Sequence, residues 1–216
     1  MRNLAAALGL AVALLMGGAG TSWAADLQKG WAAFEKGDGA TALRELTPLA
    51  EQGDALAQAA LELIYDKAQG VPQDYKAAAR WYRLAAEQGL AWAQYHLGHM
   101  YEAGQGVPQD YKAAARWYRL AAEQGYAAAQ NNLGAMYLNG EGVLQDNVRG
   151  HMWANIAAAN GGSENASKNR DLAAKRMSPT AIESAQRLAR ECMARDYKGC
   201  RPCENSARVG EISKFS

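Results

Sequence analysis

The chain has 216 residues, enough for one ordinary domain or a short repeat array. Its 23 basic residues nearly balance 22 acidic ones, so it lacks the basic footprint that nucleic-acid binding leaves, and no acidic or basic tail is visible. Alanine and glycine are heavily used while valine and isoleucine are scarce, which suits close-packed helices and disfavours sheets.

Residues 1–24 read as a secretory signal. Arg2 supplies a positive start, Leu4 to Met16 is an uninterrupted apolar run, and Gly17, Gly18 and Gly20 break it. Ser22-Trp23-Ala24 then puts small residues where a signal peptidase reads, so cleavage is expected after Ala24. The apolar run is short for a membrane span. The remaining chain is expected to be periplasmic or secreted, with no stable membrane insertion. Its charge is then balanced at 22 against 22.

Residues 26–53 form a degenerate helix pair. Leu27, Gly30, Trp31 and Phe34 are spaced for one helical face, Lys36-Gly37-Asp38-Gly39 is a turn, and Ala42, Leu46, Leu49 and Ala50 supply a second stripe ended by Gly53. Pro48 interrupts that stripe and is expected to bend it. A capping pair of this kind is what a repeat array needs at its end.

Residues 69–89 read QGVPQDYKAAARWYRLAAEQG, and residues 105–125 repeat the same 21 letters 36 positions later. A period of this length marks stacked supersecondary repeats. Three repeats over residues 54–161 align at that spacing. Leu61, Leu97 and Leu133 correspond, as do Tyr65, Tyr101 and Tyr137, then Asp74, Asp110 and Asp146, then Trp81, Trp117 and Trp153. Within residues 90–125, Ala93, Leu97 and Tyr101 share a stripe of a first helix, and Gly98 permits close backbone approach. Gly104 to Pro108 turns the chain, and Asp110 caps a second helix whose buried stripe is Ala114, Trp117 and Ala121, widened by Ala122. Gly125 stands where a helix needs a left-handed residue after its end.

The run Ala93-x3-Leu97-Gly98-x2-Tyr101-x2-Gly104-x-Gly106-Val107-x2-Asp110-x3-Ala114-x2-Trp117-x3-Ala121-Ala122-x2-Gly125 resembles the Sel-one-like repeat family, a relative of the tetratricopeptide repeats. The resemblance implies an all-α fold, a right-handed α/α solenoid of helix-turn-helix repeats. The first full repeat departs from the pattern, with Glu62 in place of Gly98 and Gly134, and Ala68 in place of Gly104 and Gly140. The third has Gly150 for Ala114 and Asn147 for Tyr111.

Residues 162–196 carry two further helices read as the C-terminal cap. Ser163 can cap the first. Ser178-Pro179 opens the second, whose apolar side is Ile182, Ala185, Leu188 and Cys192. Residues 197–216 form a polar, cysteine-containing tail.

All three cysteines lie near the C-terminus, and export implies an oxidising setting. A disulfide Cys192–Cys200 is expected, closing the tail onto the last helix. Similar cysteine-containing extensions are known among exported members of the resembled family. Cys203 is then an odd thiol or an alternative partner. Cys200-Arg201-Pro202-Cys203 also has redox C-x-x-C spacing, without the thioredoxin-like context such motifs need.

His96 and His99 are three apart but have no adjacent carboxylate or thiol to complete a metal site, so His96, His99 and His151 read as surface residues. Arg80-Trp81-Tyr82-Arg83 and Arg116-Trp117-Tyr118-Arg119 interleave basic and aromatic residues. The tryptophans read as core and the arginines as solvated flanks. No phosphate loop, nucleophile elbow, H-E-x-x-H or dinucleotide fingerprint appears, so neither catalytic residue nor cofactor is assigned.

What the resemblance implies is a non-enzymatic interaction scaffold or adaptor of the bacterial envelope, binding a protein or peptide on its concave surface; oligomeric state is left open. By analogy with tetratricopeptide repeats, first helices line that surface. It would then show Trp92, Tyr95, His99 and Glu102, flanked by Leu56, Ala59 and Leu63 and by Ala128, Asn131 and Ala135. Trp92 and Tyr95 either anchor a partner or pack between repeats. Two alternatives are an enzyme acting on cell-wall or β-lactam substrates and a thiol-redox role of the tail. Some cysteine-rich relatives are linked to the former, but they carry a cysteine pair in each repeat, and this chain has no cysteine within its repeats.

Overall fold

The computed structural model describes residues 20–66, 68 and 70–200. The described residues form α-helices joined by short turns, in two compact units divided between Gln109 and Asp110. Unit 1 holds α1 (Gly20–Glu35), α2 (Gly39–Glu51), α3 (Ala55–Asp66), α4 (Tyr75–Glu87) and α5 (Ala91–Ala103). Unit 2 holds α6 (Tyr111–Ala122), α7 (Ala127–Asn139), α8 (Asn147–Ala159), α9 (Glu164–Ala174) and α10 (Pro179–Met193). Residues 1–19 of the expected signal and Cys203 lie outside the described residues, and α1 runs through the Ala24–Ala25 bond.

Within each unit successive helices pack on one another up to α9, and α10 packs on α8 rather than on α9. In unit 1 the core joins Ala33, Leu46, Leu49, Leu61, Ile64 and Trp81. Gly30 is small because Leu46 fills the space a Cβ would need. Pro48 does not break α2, which continues to Glu51 with the proline ring exposed.

The second helix of every repeat starts the same way. The carboxylates of Asp74 and Asp110 each accept from two backbone N–H groups, those of Lys76 and Ala77 and those of Lys112 and Ala113. Asp146 accepts from Arg149 N. Asp38, read from sequence only as part of a turn, does the same for α2 through Thr41 N, which holds its carboxyl below the ordinary value. It extends the cap series one period upstream, to the start of α2. Ser178 caps α10 by accepting from Ala181 N, with Pro179 in the first turn. Ser163 stands at the N-cap of α9, but its hydroxyl makes no capping bond; Glu164 supplies the favourable charge in the first turn instead.

One expectation about the buried stripe is corrected. Trp117 is only half-buried, and the large core residue of α6 is Tyr118, fully enclosed as Tyr82 is on α4. Arg80, Arg83 and Arg116 are exposed, as expected of solvated flanks, and Arg119 is half-buried. Arg83 donates to the Tyr101 hydroxyl at 2.8 Å and Arg119 to Tyr137 at 2.9 Å. Arg80 and Arg116 lie over the rings of Trp81 and Trp117. The lengths of these side chains let one end pack while the head finds an aromatic partner.

A buried glutamine opens the first helix of each repeat. Gln58, Gln94 and Gln130 donate Nε2 to the carbonyls of Ala50, Ala86 and Ala122 at 2.9, 3.1 and 3.1 Å. Each bond ties a first helix to the end of the helix before it, in a single repeated geometry.

Candidate functional site

The residues proposed from sequence for partner binding fall in both units. Trp92, Tyr95, His99 and Glu102 share α5 in unit 1. The first two are half-buried, His99 is exposed and Glu102 is half-buried. They are set by α4 beneath them. The His96 ring stacks on Tyr82 at 5.2 Å with planes 22° apart. Trp92 meets Tyr82 at 5.7 Å and the His96 edge at 4.9 Å, and Tyr95 meets His96 edge-on at 5.1 Å. Tyr82, fully buried, is therefore the post on which the α5 aromatics lean.

His96 is thus part of an aromatic stack, a correction to its reading as a surface polar residue. His151 is also corrected. It is buried on α8, and burial, with Arg170 adding and Asp171 opposing, lowers its pKa below the ordinary imidazole value. Among the described residues no three His, Cys, Asp or Glu side chains converge to hold a metal.

Electrostatics at the α5 face are mild. Burial, with the Glu102 carboxylate adding, pushes the Tyr95 hydroxyl above its ordinary pKa. The Tyr95 hydroxyl therefore stays protonated at physiological pH, and the Glu102 carboxylate stands at the C-terminal end of the patch. On α3 of the same unit, Leu56 is exposed and Leu63 half-buried, while Ala59 is buried.

Asn131 belongs to unit 2. Its Oδ1 accepts from Asn169 Nδ2 on α9 at 3.0 Å, and its amide donates to Asn132 at 3.3 Å. Cys192 and Cys200 form a disulfide with Cα atoms 5.1 Å apart. Cys192 is buried, so the bridge fastens the turn after α10 onto the helix itself.

The Sel1 repeat model matches residues 53–90, 93–126 and 127–162, half of the chain. The chain belongs to the Sel1 repeat family. Proteins of this family are generally protein-interaction scaffolds, typically without enzymatic activity, and the fold class is the all-α solenoid of these repeats. A Sel1 repeat protein from Oxalobacter formigenes is 42% identical over 60% of this chain and 96% of its own, with a TM-score of 0.54. The protective antigen c5321 of uropathogenic Escherichia coli strains, which displays an SLR fold, is 28% identical over 97% of this chain, with a TM-score of 0.68. This chain covers 48% of that antigen, about half its length. No curated protein matches the chain.

Several residues that shape the site escaped the sequence reading. Tyr82 sits inside the duplicated run and was masked by the neighbouring Trp81. The glutamines Gln58, Gln94 and Gln130 form a further series at the 36-residue spacing but have no apolar signature. Glu62 was visible only as a departure from the glycine pattern. It is fully buried, and neither carboxylate oxygen has a hydrogen-bond partner.

Proposed function

We propose that this Sel1 repeat protein is a non-enzymatic scaffold of the bacterial envelope, periplasmic or secreted after loss of residues 1–24. It takes a peptide or protein segment on α5 through Trp92, Tyr95, His99 and Glu102. Asn131 is a separate candidate contact in unit 2. The observation that carries the reading is the aromatic stack. Tyr82 and His96 hold Trp92 and Tyr95 in fixed orientations while leaving part of each ring at the surface. Rigid, partly exposed aromatic rings are efficient binding anchors because little side-chain freedom remains to be lost. The Cys192–Cys200 bridge supports an oxidising compartment. Among the described residues no helix is long and apolar enough to cross a membrane.

The test is capture of cross-linked partners from envelope extract by the purified chain and by His99→Glu and Glu102→Arg variants. Loss of the captured species, with the melting temperature unchanged, supports the assignment. Equal capture by both variants would place binding elsewhere. Trp92→Ala and Tyr95→Ala complete the series: a sharp drop in melting temperature with unchanged capture reduces those rings to packing residues.

A further inference from the structure

The α2–α3 turn of unit 1 and the α6–α7 turn of unit 2 stand two periods apart in the sequence and share a polar staple. In unit 1, Gln88 donates Nε2 to the Gly53 carbonyl at 3.0 Å and to Gln58 Oε1 at 2.9 Å. In unit 2, Asn160 donates Nδ2 to the Gly125 carbonyl and, at 3.4 Å, to Gln130 Oε1. Turn glycine, buried glutamine and amide clamp occupy matching register positions.

What lies over the two turns differs. In unit 2 the Tyr197 ring covers Gly125: a Cβ added there would meet its Cε2 at 3.0 Å and its Cδ2 at 3.2 Å. Tyr197 is carried by the loop that the Cys192–Cys200 bridge closes, and it sits in the left-handed region at φ 64°. A non-glycine residue held there needs its surroundings to fix it, and the disulfide and the seat on Gly125 do so. In unit 1, no described atom apart from Gly53 and its two chain neighbours lies within 4 Å of the Cβ position at Gly53. A groove of about 390 Å³ opens beside that turn, with Ala50, Trp81 and Leu84 as its apolar floor. Unit 2 fills this place with an aromatic ring from its own tail; in unit 1 no described residue does so.

Charge narrows the occupant. Exposed Glu51 and Glu87 stand at the rim of the unit 1 groove. Their register counterparts in unit 2 are Glu123 and Ala159, so the open groove carries one more carboxylate than the filled one. Arg80, also at the rim, is engaged over Trp81 at 5.7 Å. Tyr197 itself stands in the run Arg195-Asp196-Tyr197-Lys198, two basic residues against one acidic.

We propose that the groove at Gly53, Trp81 and Leu84 is a docking site for a turn of a partner protein that presents a tyrosine or phenylalanine beside a lysine or arginine. The aromatic ring would lie on Gly53 as Tyr197 lies on Gly125, and the basic group would face Glu51 and Glu87. This surface is separate from the α5 residues, so it stands or falls independently of them.

The probe is the disulfide-closed nonapeptide with the sequence of residues 192–200, titrated into the whole chain by calorimetry. Saturable binding is expected, weakened at least about tenfold by Leu84→Asp or Glu87→Lys in the protein and by replacing the peptide tyrosine with alanine. A tenfold loss corresponds to about 1.4 kcal/mol. Leu84 and Glu87 are exposed, and melting curves verify that the variants fold. If Leu84→Asp unfolds the chain, Glu87→Lys carries the test. Absence of binding at millimolar peptide overturns the proposal. So does binding that neither substitution changes, which would mean competition with Tyr197 in unit 2. Concentration-dependent dimerisation abolished by Leu84→Asp would also overturn it, because the occupant would then be a second copy.

Discussion

Glu62 on α3 occupies the register position that Gly134 holds on α7. At Gly134 a Cβ would lie 3.1 Å from Ala154 N and 3.2 Å from the Gly150 carbonyl, so α7 and α8 meet through nearly bare backbone. Glu62 places a full side chain at the matching point of unit 1, with its carboxyl enclosed and unbonded. Burial, with Asp66 on the next turn adding, pushes its pKa up to about 11. The acid is therefore neutral in the folded state and ionised in the unfolded one at neutral pH. Stability is fullest below the unfolded value, about 4.5, and falls as pH rises from there towards 11. The limiting slope for one proton is about 1.4 kcal/mol per pH unit. Glu62→Gln, which cannot ionise, is expected to melt higher than the parent at pH 8 and to flatten the decline between pH 5 and pH 9 (about one proton's worth). Identical pH profiles for the two proteins would show that Glu62 ionises freely.

His151 predicts the opposite limb. Its folded pKa is lowered, chiefly by burial, and its Nδ1 has no hydrogen-bond partner. The neutral ring is the folded form, so this contribution is complete above the unfolded value of about 6.5 and is lost as pH falls from there through the lower folded pKa. Melting temperature should drop between pH 7 and pH 5, and His151→Met should remove part of that drop while costing little at pH 8. Imidazole NMR resonances provide the direct check. A midpoint at or above the ordinary histidine value would contradict the assignment.

Gln130 tests the repeated glutamine tie. It is fully buried, donates to the Ala122 carbonyl at 3.1 Å and accepts from Asn160. Gln130→Leu keeps most of the volume and removes both bonds, at an expected cost of about 1–2 kcal/mol. Gln130→Glu keeps the shape but turns an oxygen towards a carbonyl, so it should be worse than leucine at pH 8. Denaturant unfolding ranks the two. Equal losses would mean that the position contributes packing alone.

The loop glycines seat each repeat on the one before it. A Cβ on Gly106 would strike the Tyr75 carbonyl at the start of α4, and one on Gly142 would strike the Tyr111 carbonyl at the start of α6. Gly70 meets Gly39 N and the Gly37 carbonyl at the start of α2 in the same way. Gly142→Ala should therefore cost about 2–3 kcal/mol, because backbone must move as well as a left-handed φ being imposed on alanine. Gly161→Ala, also at positive φ but in open space, should cost only the conformational part, about 1 kcal/mol. Similar losses at the two sites would rule out the close approach.

Helix order, caps and turns were legible because each is written locally and then restated at a fixed period. Asp74, Asp110 and Asp146 announce helix starts, and Leu61, Leu97 and Leu133 announce a core face. The seat of the α5 aromatics was not legible. It depends on Tyr82 and His96, whose facing across α4 and α5 follows from how two helices are rotated against each other. The cover of Gly125 by Tyr197 was hidden for a similar reason. The expected disulfide closed the tail onto the last helix, but which turn the loop then touches is a tertiary fact. Glu62 shows a third kind of limit, since a departure from a repeat pattern marks a place without saying whether the new side chain is buried or exposed.

Ala68 completes that contrast at the end of the same helix. Gly104 and Gly140 follow α5 and α7 in left-handed conformation, at φ 67° and 75°, and donate to the Met100 and Met136 carbonyls. Ala68 holds the equivalent place after α3 at φ 52°, an exposed non-glycine residue in the same region. An L-residue there gives up about 1–2 kcal/mol relative to its preferred backbone. Glycine avoids that strain but loses about 0.5–1 kcal/mol more in conformational freedom on folding. Ala68→Gly should therefore stabilise the chain by about 0.5–1 kcal/mol, a gain of about 1–4 °C for a domain of this size. Because Ala68 is exposed, no packing change competes with the backbone effect. A melting temperature lower than the parent's would mean that this turn does not hold the left-handed conformation in solution.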